Sequence, residues 1–265
     1  MPRANRHHIP GYVWHITHRC HKKEFLLKFP RDRRRWIHWL YEAKKRYGLC
    51  VLNFMVTSSH IHLLVVDGDD EETIPRSLQL VEGRVAQEYN HRKQRKGAFW
   101  EDRYHATAVQ SGKHLARCMS YIDLNMVRAG VVKHPSGWEF CGYNSIQDPP
   151  KRYQIIDRNR TAELLNLSNV EELAQRQKAW VETALEGDRN VRDSNWSESI
   201  AVGDHTFVMD AMDKLGANAM YREIVEEDGI AVLREPKIPY SASFDTKTGP
   251  LSPKNGYFWD LTNYI

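Results

Sequence analysis

Hydrophobic and polar residues alternate in some stretches of the chain and follow helical spacing in others. Residues 11–19 alternate and are rich in aromatic and β-branched side chains, which predicts a strand. Over residues 31–47 the apolar positions recur every three or four residues and Gly48 follows, which predicts an amphipathic helix. Two apolar runs, Cys50–Val56 and 61–66, are separated by the four residues Thr57 to His60 and predict an antiparallel hairpin.

The same reasoning extends the pattern to residue 129. Helical spacing predicts a second helix over residues 74–90 and a third over residues 113–129, with a strand over residues 103–110 between them. The order is then β-α-β-β-α-β followed by one appended helix. This is the ferredoxin-like α+β pattern, in which helices cover one face of an antiparallel sheet and leave the other face for a substrate or a further layer.

The pattern changes after Pro149-Pro150. Residues 168–171 match a capping box that opens a helix through about residue 185, and a shorter helix is predicted over residues 204–215. The last thirty residues are irregular but carry aromatic side chains. We therefore predict two regions, residues 1–150 and a mostly helical accessory region over residues 151–265 with an irregular tail.

Charge divides the chain in the same way. Residues 1–150 contain 24 lysines and arginines against 15 aspartates and glutamates, a surplus of +9, whereas residues 151–265 have a deficit of −5. A basic half favours binding to a polyanion, because each cation that meets a phosphate releases counterions. The alternative is a solvated basic surface, and charge alone does not distinguish the two.

Composition indicates a folded protein in a reducing compartment. Hydrophobic residues make up 41% of the chain, which includes eight tryptophans and predicts a packed core. The four cysteines have no CxxC spacing, which favours free thiols over a zinc cluster. No apolar run approaches the roughly 20 residues that cross a bilayer, and the N-terminus does not resemble a secretory signal. We expect a cytoplasmic protein with no membrane partner.

His60 and His62 are the first candidates for chemistry. They flank Ile61 at the start of a predicted strand, so their side chains project to the same face. Two neutral imidazoles on one face can bind a metal ion together. Two histidines on a half-exposed strand can equally form an ordinary polar face, and the pattern alone leaves both interpretations open.

The predicted helix over residues 113–129 carries a second candidate group. One of its faces, away from the apolar stripe, presents Arg117, Tyr121, Asn125 and Arg128. Arginines can hold a phosphate backbone while a phenol attacks it. The alternative interpretation is a tyrosine partly buried at the edge of the core.

Two motifs resemble those of the HUH (His–hydrophobic–His) nucleases. They are SHIHLLV, which starts at Ser59, and YIDLNMVRAG, which starts at Tyr121; FWEDRY, from Phe99, supports them. Within that group the chain resembles the single-tyrosine transposases of the insertion-sequence-200 type, and most closely their REP-associated branch. The resemblance covers about residues 1–150, so this region is interpreted as the transposase or nuclease domain. Many relatives have Pro-Asn where this chain has Ser58-Ser59, and a proline where it has Met126.

The resemblance implies a mechanism. His60, His62 and Asn125 would bind a divalent metal, Mg²⁺ or Mn²⁺, that polarises the scissile phosphate. Tyr121 would be the nucleophile, forming a 5′-phosphotyrosine and freeing a 3′-OH, and attack by another 3′-OH would rejoin the strands. The implied substrate is single-stranded DNA or a hairpin such as a REP-like palindrome, and the implied location is the nucleoid.

Several basic residues in the first 150 positions are expected to contact DNA, and two other functions remain open. The basic side chains expected to contact DNA are Arg3, Arg6, Arg19, Lys22, Lys23, Arg103, Arg117 and Arg128. His105 is a candidate ligand or acid, although a structural role is expected. A replication initiator or relaxase, and a non-catalytic nucleic-acid-binding module on the same fold, are the competing functions. Whether the chain acts as a monomer or a homodimer is left open.

Overall fold

The computed structural model describes residues 9–66, 70–187, 193–219, 221–227 and 229–236. Arg3 and Arg6, two of the expected DNA contacts, lie outside these residues, as does almost all of the irregular C-terminal tail. The following bounds therefore refer to the described part of the chain. No helix within it is long and apolar enough to cross a membrane.

The strands and helices follow the predicted order up to residue 123. The strands are β1 (Val13–Arg19), β2 (Cys50–Val56), β3 (His60–Val66), β4 (His105–Val109), β5 (Ala201–Gly203), β6 (Glu223–Glu227) and β7 (Ile230–Arg234). The helices are α1 (Pro30–Tyr47), α2 (Thr73–Lys93), α3 (Lys113–Asp123), α4 (Asn125–Arg128), α5 (Gly142–Gln147), α6 (Arg158–Leu164), α7 (Val170–Glu186), α8 (Asn195–Glu198) and α9 (His205–Leu215).

The first four strands form the predicted ferredoxin-like sheet. Their order is β2-β3-β1-β4, and β1 pairs antiparallel with both β3 and β4. The long apolar runs of β2 and β3 are buried because helices lie on both sides of the sheet. The α+β fold class with an appended helix is therefore confirmed.

Each face of the sheet has its own layer of helices. On one face α1 and α2 pack together, and His18 of β1 contacts Glu82 of α2. On the opposite face, Asn53 of β2 donates to Asp123 of α3, and Gln177 of α7 donates to the same carboxylate. The face that the sequence analysis left for a substrate or a further layer thus carries a further layer, formed by the appended helix and by helices that follow residue 150.

The chain after residue 150 also extends the sheet, which the sequence analysis did not predict. The strand β5 pairs parallel with β4, and β7 and β6 continue beyond it to give a seven-stranded sheet. Described residues on both sides of position 150 therefore share one sheet. The division into two regions at that position stays a prediction.

The two helices predicted after residue 150 are present, with one change at a cap. The N-cap of α7 is Asn169, whose side chain accepts from the backbone N–H of Glu172, and the Glu172 carboxylate accepts from the N–H of Ser168. The arrangement resembles a capping box displaced by one residue from the predicted position, except that the carboxylate accepts from the residue before the N-cap. The helix α9 begins after Asp204, as predicted.

We predict that Asp204→Ala lowers the free energy of unfolding by about 1 kcal/mol at pH 7. The Asp204 carboxylate caps α9 through the N–H of Phe207 at 2.8 Å and accepts from Gln110, which follows β4, at 2.7 Å. The hydrogen bond from Gln110, followed by that from Phe207, lowers the pKa of Asp204. Its contribution is therefore present above the unfolded-state pKa, about 3.9, and is lost as the pH falls through the folded-state pKa.

Urea unfolding of the wild type and variant between pH 3 and pH 7 measures this difference. Asp213→Ala removes an exposed acid from the last turn of the same helix and is the matched control, with little expected change. A pH-independent difference between the wild type and Asp204→Ala would contradict the assignment.

Candidate metal and tyrosine site

The two histidines of β3 face the layer formed by α3 and α8. In the β1–β3 pairing, His60 lies opposite Arg19 and His62 opposite Thr17, and the imidazole centroids of the two histidines are 5.1 Å apart. The planes of the rings differ by 79°. His62 is 3% exposed, whereas His60 at the strand end is partly exposed. The alternation of the strand thus places the pair at the boundary between core and solvent.

A tight turn before β3 holds His60. The hydroxyl of Thr57 donates to the carbonyl of His60 at 2.8 Å and accepts from the backbone N–H groups of His60 and Ser59, at 3.0 and 3.2 Å. The Nδ1 atom of His60 lies 3.0 Å from this hydroxyl and 3.2 Å from that of Ser59. In place of the Pro-Asn of many relatives, the turn therefore uses hydroxyl groups to orient the imidazole.

His62 is oriented through a second histidine that the sequence analysis missed. Its Nδ1 atom lies 2.9 Å from Nε2 of His15, a fully buried residue of β1. The other ring nitrogen of His15, Nδ1, lies 2.6 Å from the backbone carbonyl of Trp196 in α8. The sequence does indicate that His15 and Thr17 point to the same face of β1, because side chains two residues apart in a strand share a face. In the structure Thr17 pairs with His62, which brings His15 to the same face as that histidine.

Burial keeps both of these histidines neutral at neutral pH. Desolvation lowers the pKa of His15 to about 4, and it lowers the pKa of His62 well below its usual value. For His62 the neighbouring His60 and His15 lower the pKa further. A neutral imidazole retains a lone pair on one nitrogen, which is the form that binds a metal.

Asn125 reaches His62 because the predicted helix over residues 113–129 is interrupted. Leu124 (φ −81°, ψ 2°) separates α3 from α4, although the sequence has no proline there. Asn125 is the first residue of α4, and its side-chain Nδ2 lies 3.0 Å from Nε2 of His62. The amide therefore points at the one nitrogen of His62 that does not face His15.

Tyr121 lies one turn before Asn125 and is 8% exposed. Its ring centroid is 6.0 Å from that of His62 and 6.5 Å from that of Trp196. The guanidinium of Arg128 lies over the Tyr121 ring at 4.2 Å and donates to the Tyr121 carbonyl at 2.5 Å. Tyr121 is thus packed at the edge of the core, which was one of the two interpretations of the sequence. It also lies beside the histidine pair, as its proposed role as a nucleophile requires.

The donors present here can bind a divalent cation. Among the described residues, no three His, Cys, Asp or Glu side chains converge as a metal site. The candidate set is instead two imidazoles and one amide, His60, His62 and Asn125. Two observations indicate that these residues can bind a metal: His62 is neutral, and the Asn125 side chain is directed at its Nε2 atom. Rotation of the Asn125 amide would exchange Nδ2 for Oδ1 and so present an oxygen to a metal ion.

The basic residues proposed as DNA contacts divide into two groups. Arg128 packs on Tyr121, and Arg19 is exposed at the end of β1 opposite His60. The other described residues of this set are exposed: Lys22 and Lys23 in a one-turn 3-10 helix after β1, Arg103 before β4, and Arg117 on α3. Of these basic residues, Arg19 and Arg128 lie beside the histidines and the tyrosine. That any of the set binds DNA stays a prediction.

His105 and Trp14 make structural contacts. The Nε2 atom of His105 lies 2.9 Å from the carbonyl of Ser199, which also accepts from the hydroxyl of Thr107. This contact agrees with the structural role expected for His105. Trp14 of β1 is 2% exposed and lies in the core.

Comparisons with known proteins find one family model that matches part of the chain. Residues 9–125 match the model described as "Transposase IS200 like". No curated protein sequence matches the chain. Two solved structures are also similar to part of the chain, both with TM-scores below 0.5.

The first of these structures is a REP-associated tyrosine transposase bound to a REP hairpin. It is 21% identical, with a TM-score of 0.44, over 54% of this chain and 84% of that chain. The second is a candidate transposase from Deinococcus radiodurans R1. It is 15% identical, with a TM-score of 0.31, over 39% of this chain and 83% of that chain.

We predict that Thr57→Val lowers the free energy of unfolding by about 1–3 kcal/mol, since valine leaves the backbone N–H groups of Ser59 and His60 without their acceptor. Thr57 is 3% exposed, which limits replacement by water. Thr57→Ser keeps the hydroxyl and is the matched control. Equal urea-unfolding midpoints for the two variants would show that the hydroxyl does not hold the turn.

Proposed function

We propose that the chain cleaves and rejoins single-stranded DNA through Tyr121, and the match of residues 9–125 to the IS200-like transposase model supports this proposal. The proposal includes a divalent metal, Mg²⁺ or Mn²⁺, bound by His60, His62 and Asn125. The observation that carries it is the convergence of three groups from separate elements. The Asn125 amide lies 3.0 Å from Nε2 of His62, and the Tyr121 ring centroid lies 6.0 Å from that of the same histidine.

The side chains prepare the site before any substrate binds. The turn at Thr57 and the contact with His15 orient the two imidazoles through their Nδ1 atoms. When bound, the metal would act as a Lewis acid on a non-bridging phosphate oxygen and align the scissile phosphate. Asn125, fixed at the start of α4, would complete the ligand set with its amide oxygen.

Tyr121 supplies the nucleophile in this proposal. The phenol gives up its proton as its oxygen bonds to phosphorus, the bond from phosphorus to the 3′ oxygen breaks, and that oxygen takes up a proton, so that protons and bonds balance. Attack by a 3′-OH on the phosphotyrosine reverses the step and rejoins strands, so no external energy source is needed. Arg128 holds the ring face and the Tyr121 carbonyl, which fixes where the phenol points.

The proposed substrate is single-stranded DNA, presented as a hairpin of the REP-like palindrome type. Arg19, Lys22, Lys23, Arg103 and Arg117 are exposed and can meet its phosphates. We propose a place at the nucleoid for the same reason. A binding module without catalysis would need the same basic surface, but it would not need the histidine pair, the amide and the tyrosine in contact.

We predict a covalent adduct between the protein and DNA. The full chain is incubated with a panel of hairpin oligonucleotides labelled at the 3′ end, with Mn²⁺, and separated under denaturing conditions. A labelled band at the mass of protein plus the 3′ fragment is expected. Tyr121→Phe should abolish the band, and His60→Ala should reduce it by at least about tenfold, since it removes a ligand.

The matched control for the tyrosine variant is Tyr89→Phe. Tyr89 lies on α2, on the opposite face of the sheet, and its substitution should leave the adduct unchanged. An adduct that persists in Tyr121→Phe would assign the nucleophile to another residue. Tight hairpin binding without any adduct across the panel would favour the non-catalytic binding module.

A further inference from the structure

Hydrogen bonds determine which ring nitrogen carries the hydrogen in each of the two buried histidines, first in His15 and then in His62. The backbone carbonyl of Trp196 can only accept, so Nδ1 of His15, 2.6 Å away, must carry a hydrogen. A neutral imidazole carries one N–H, so Nε2 of His15 is an acceptor. Nδ1 of His62, 2.9 Å from that acceptor, must then be the donor. The remaining nitrogen of His62, Nε2, keeps its lone pair.

We propose that His15 is a positioning residue which, anchored by the carbonyl of Trp196, holds His62 as its Nδ1–H tautomer with the Nε2 lone pair turned towards the Asn125 amide. The inference rests on the proposed function in that it gives His62 its role as a ligand. It assigns a role to His15 and to the short helix α8.

The geometry supports a directed hydrogen bond between the two rings. Their planes differ by only 12°, so the N–H of one ring lies close to the plane of the lone pair on the other. His15 is 0% exposed and lies in a central strand paired on both sides, opposite Leu64 of β3 and Thr107 of β4. Because the backbone of His15 is fixed and water is excluded, loss of its acceptor would leave the buried N–H of His62 unsatisfied.

The contact on the other side of His62 agrees with this tautomer. Nδ2 of Asn125 is a donor in its present orientation, and it faces Nε2 of His62 at 3.0 Å. A hydrogen on that nitrogen would place two donors against each other. With the amide in this orientation, both neighbours of His62 agree with the same tautomer, and they come from residues that are distant in sequence.

The helix α8 takes part in the site through this arrangement. Its residue Trp196 supplies the carbonyl to His15 and also packs its ring against Tyr121, with centroids 6.5 Å apart. Groups that orient a metal ligand commonly change metal affinity by about 10–100-fold when they are removed. The region after residue 150 would thus adjust the histidine site without supplying a ligand.

Two variants of His15 separate orientation from packing. His15→Phe keeps an aromatic ring in the core but removes both ring nitrogens. His15→Gln can place an amide oxygen near the position of Nε2, where it accepts from Nδ1 of His62. Urea-unfolding midpoints for both variants establish that the full chain remains folded at the temperature of the measurements.

The tautomer is read by long-range ¹H–¹⁵N NMR of histidine-labelled, metal-free protein, and Mn²⁺ affinity by isothermal titration calorimetry without DNA. In the wild type we expect an unprotonated Nε2 at His62. His15→Phe should change the tautomer signal and weaken Mn²⁺ binding by about 10–100-fold, and His15→Gln should restore most of both. A protonated Nε2 in the wild type, or unchanged Mn²⁺ affinity in His15→Phe, would overturn the proposal.

A failure of the proposed function would give a different result. If the wild type bound no Mn²⁺, or bound it equally well after His60→Ala, the proposed metal site would be wrong. The NMR measurement would still decide whether His15 and Trp196 orient His62, because it uses protein without metal.

Discussion

Antiparallel pairing of β1 with β3 is the constraint on which the candidate site depends. The register places His62 opposite Thr17 and Leu64 opposite His15, so the two imidazoles are diagonal neighbours on one face of the sheet. A shift of one residue in this pairing would put the two histidines on opposite faces of the sheet. The buried residues of the opposite face, Ile61 and Leu63 among them, fix the register and thereby the chemistry.

Burial explains why the site needs several layers of support. A desolvated imidazole is neutral, as the lowered pKa values of His15 and His62 indicate, but each of its nitrogens then requires a defined partner. Those partners come from β1, α4 and α8, which are separated by up to 181 positions along the chain. The second helical layer, rather than an open sheet face, provides the enclosed surroundings in which the tyrosine and histidines meet.

Local patterns predicted most of the first half of the fold, because its strands and helices are long enough to show their periodicity. The strand β5 has three residues and derives its stability from pairing with β4 and β7, so no local pattern marks it. The break at Leu124 has no proline signal. His60, His62 and Tyr121 came from their motifs, whereas the contact of His15 with Trp196 depends on tertiary packing that spacing cannot show.

The claim at the centre of this account is that His60, His62 and Asn125 bind one divalent ion beside Tyr121. Crystals of the full chain grown with Mn²⁺, with anomalous data collected near the manganese edge, would locate that ion directly. The account predicts one peak at bonding distance, about 2.1 Å, from Nε2 of both histidines, with the Asn125 amide oxygen turned towards it. A bound Mn²⁺ elsewhere, with this position empty, would contradict it.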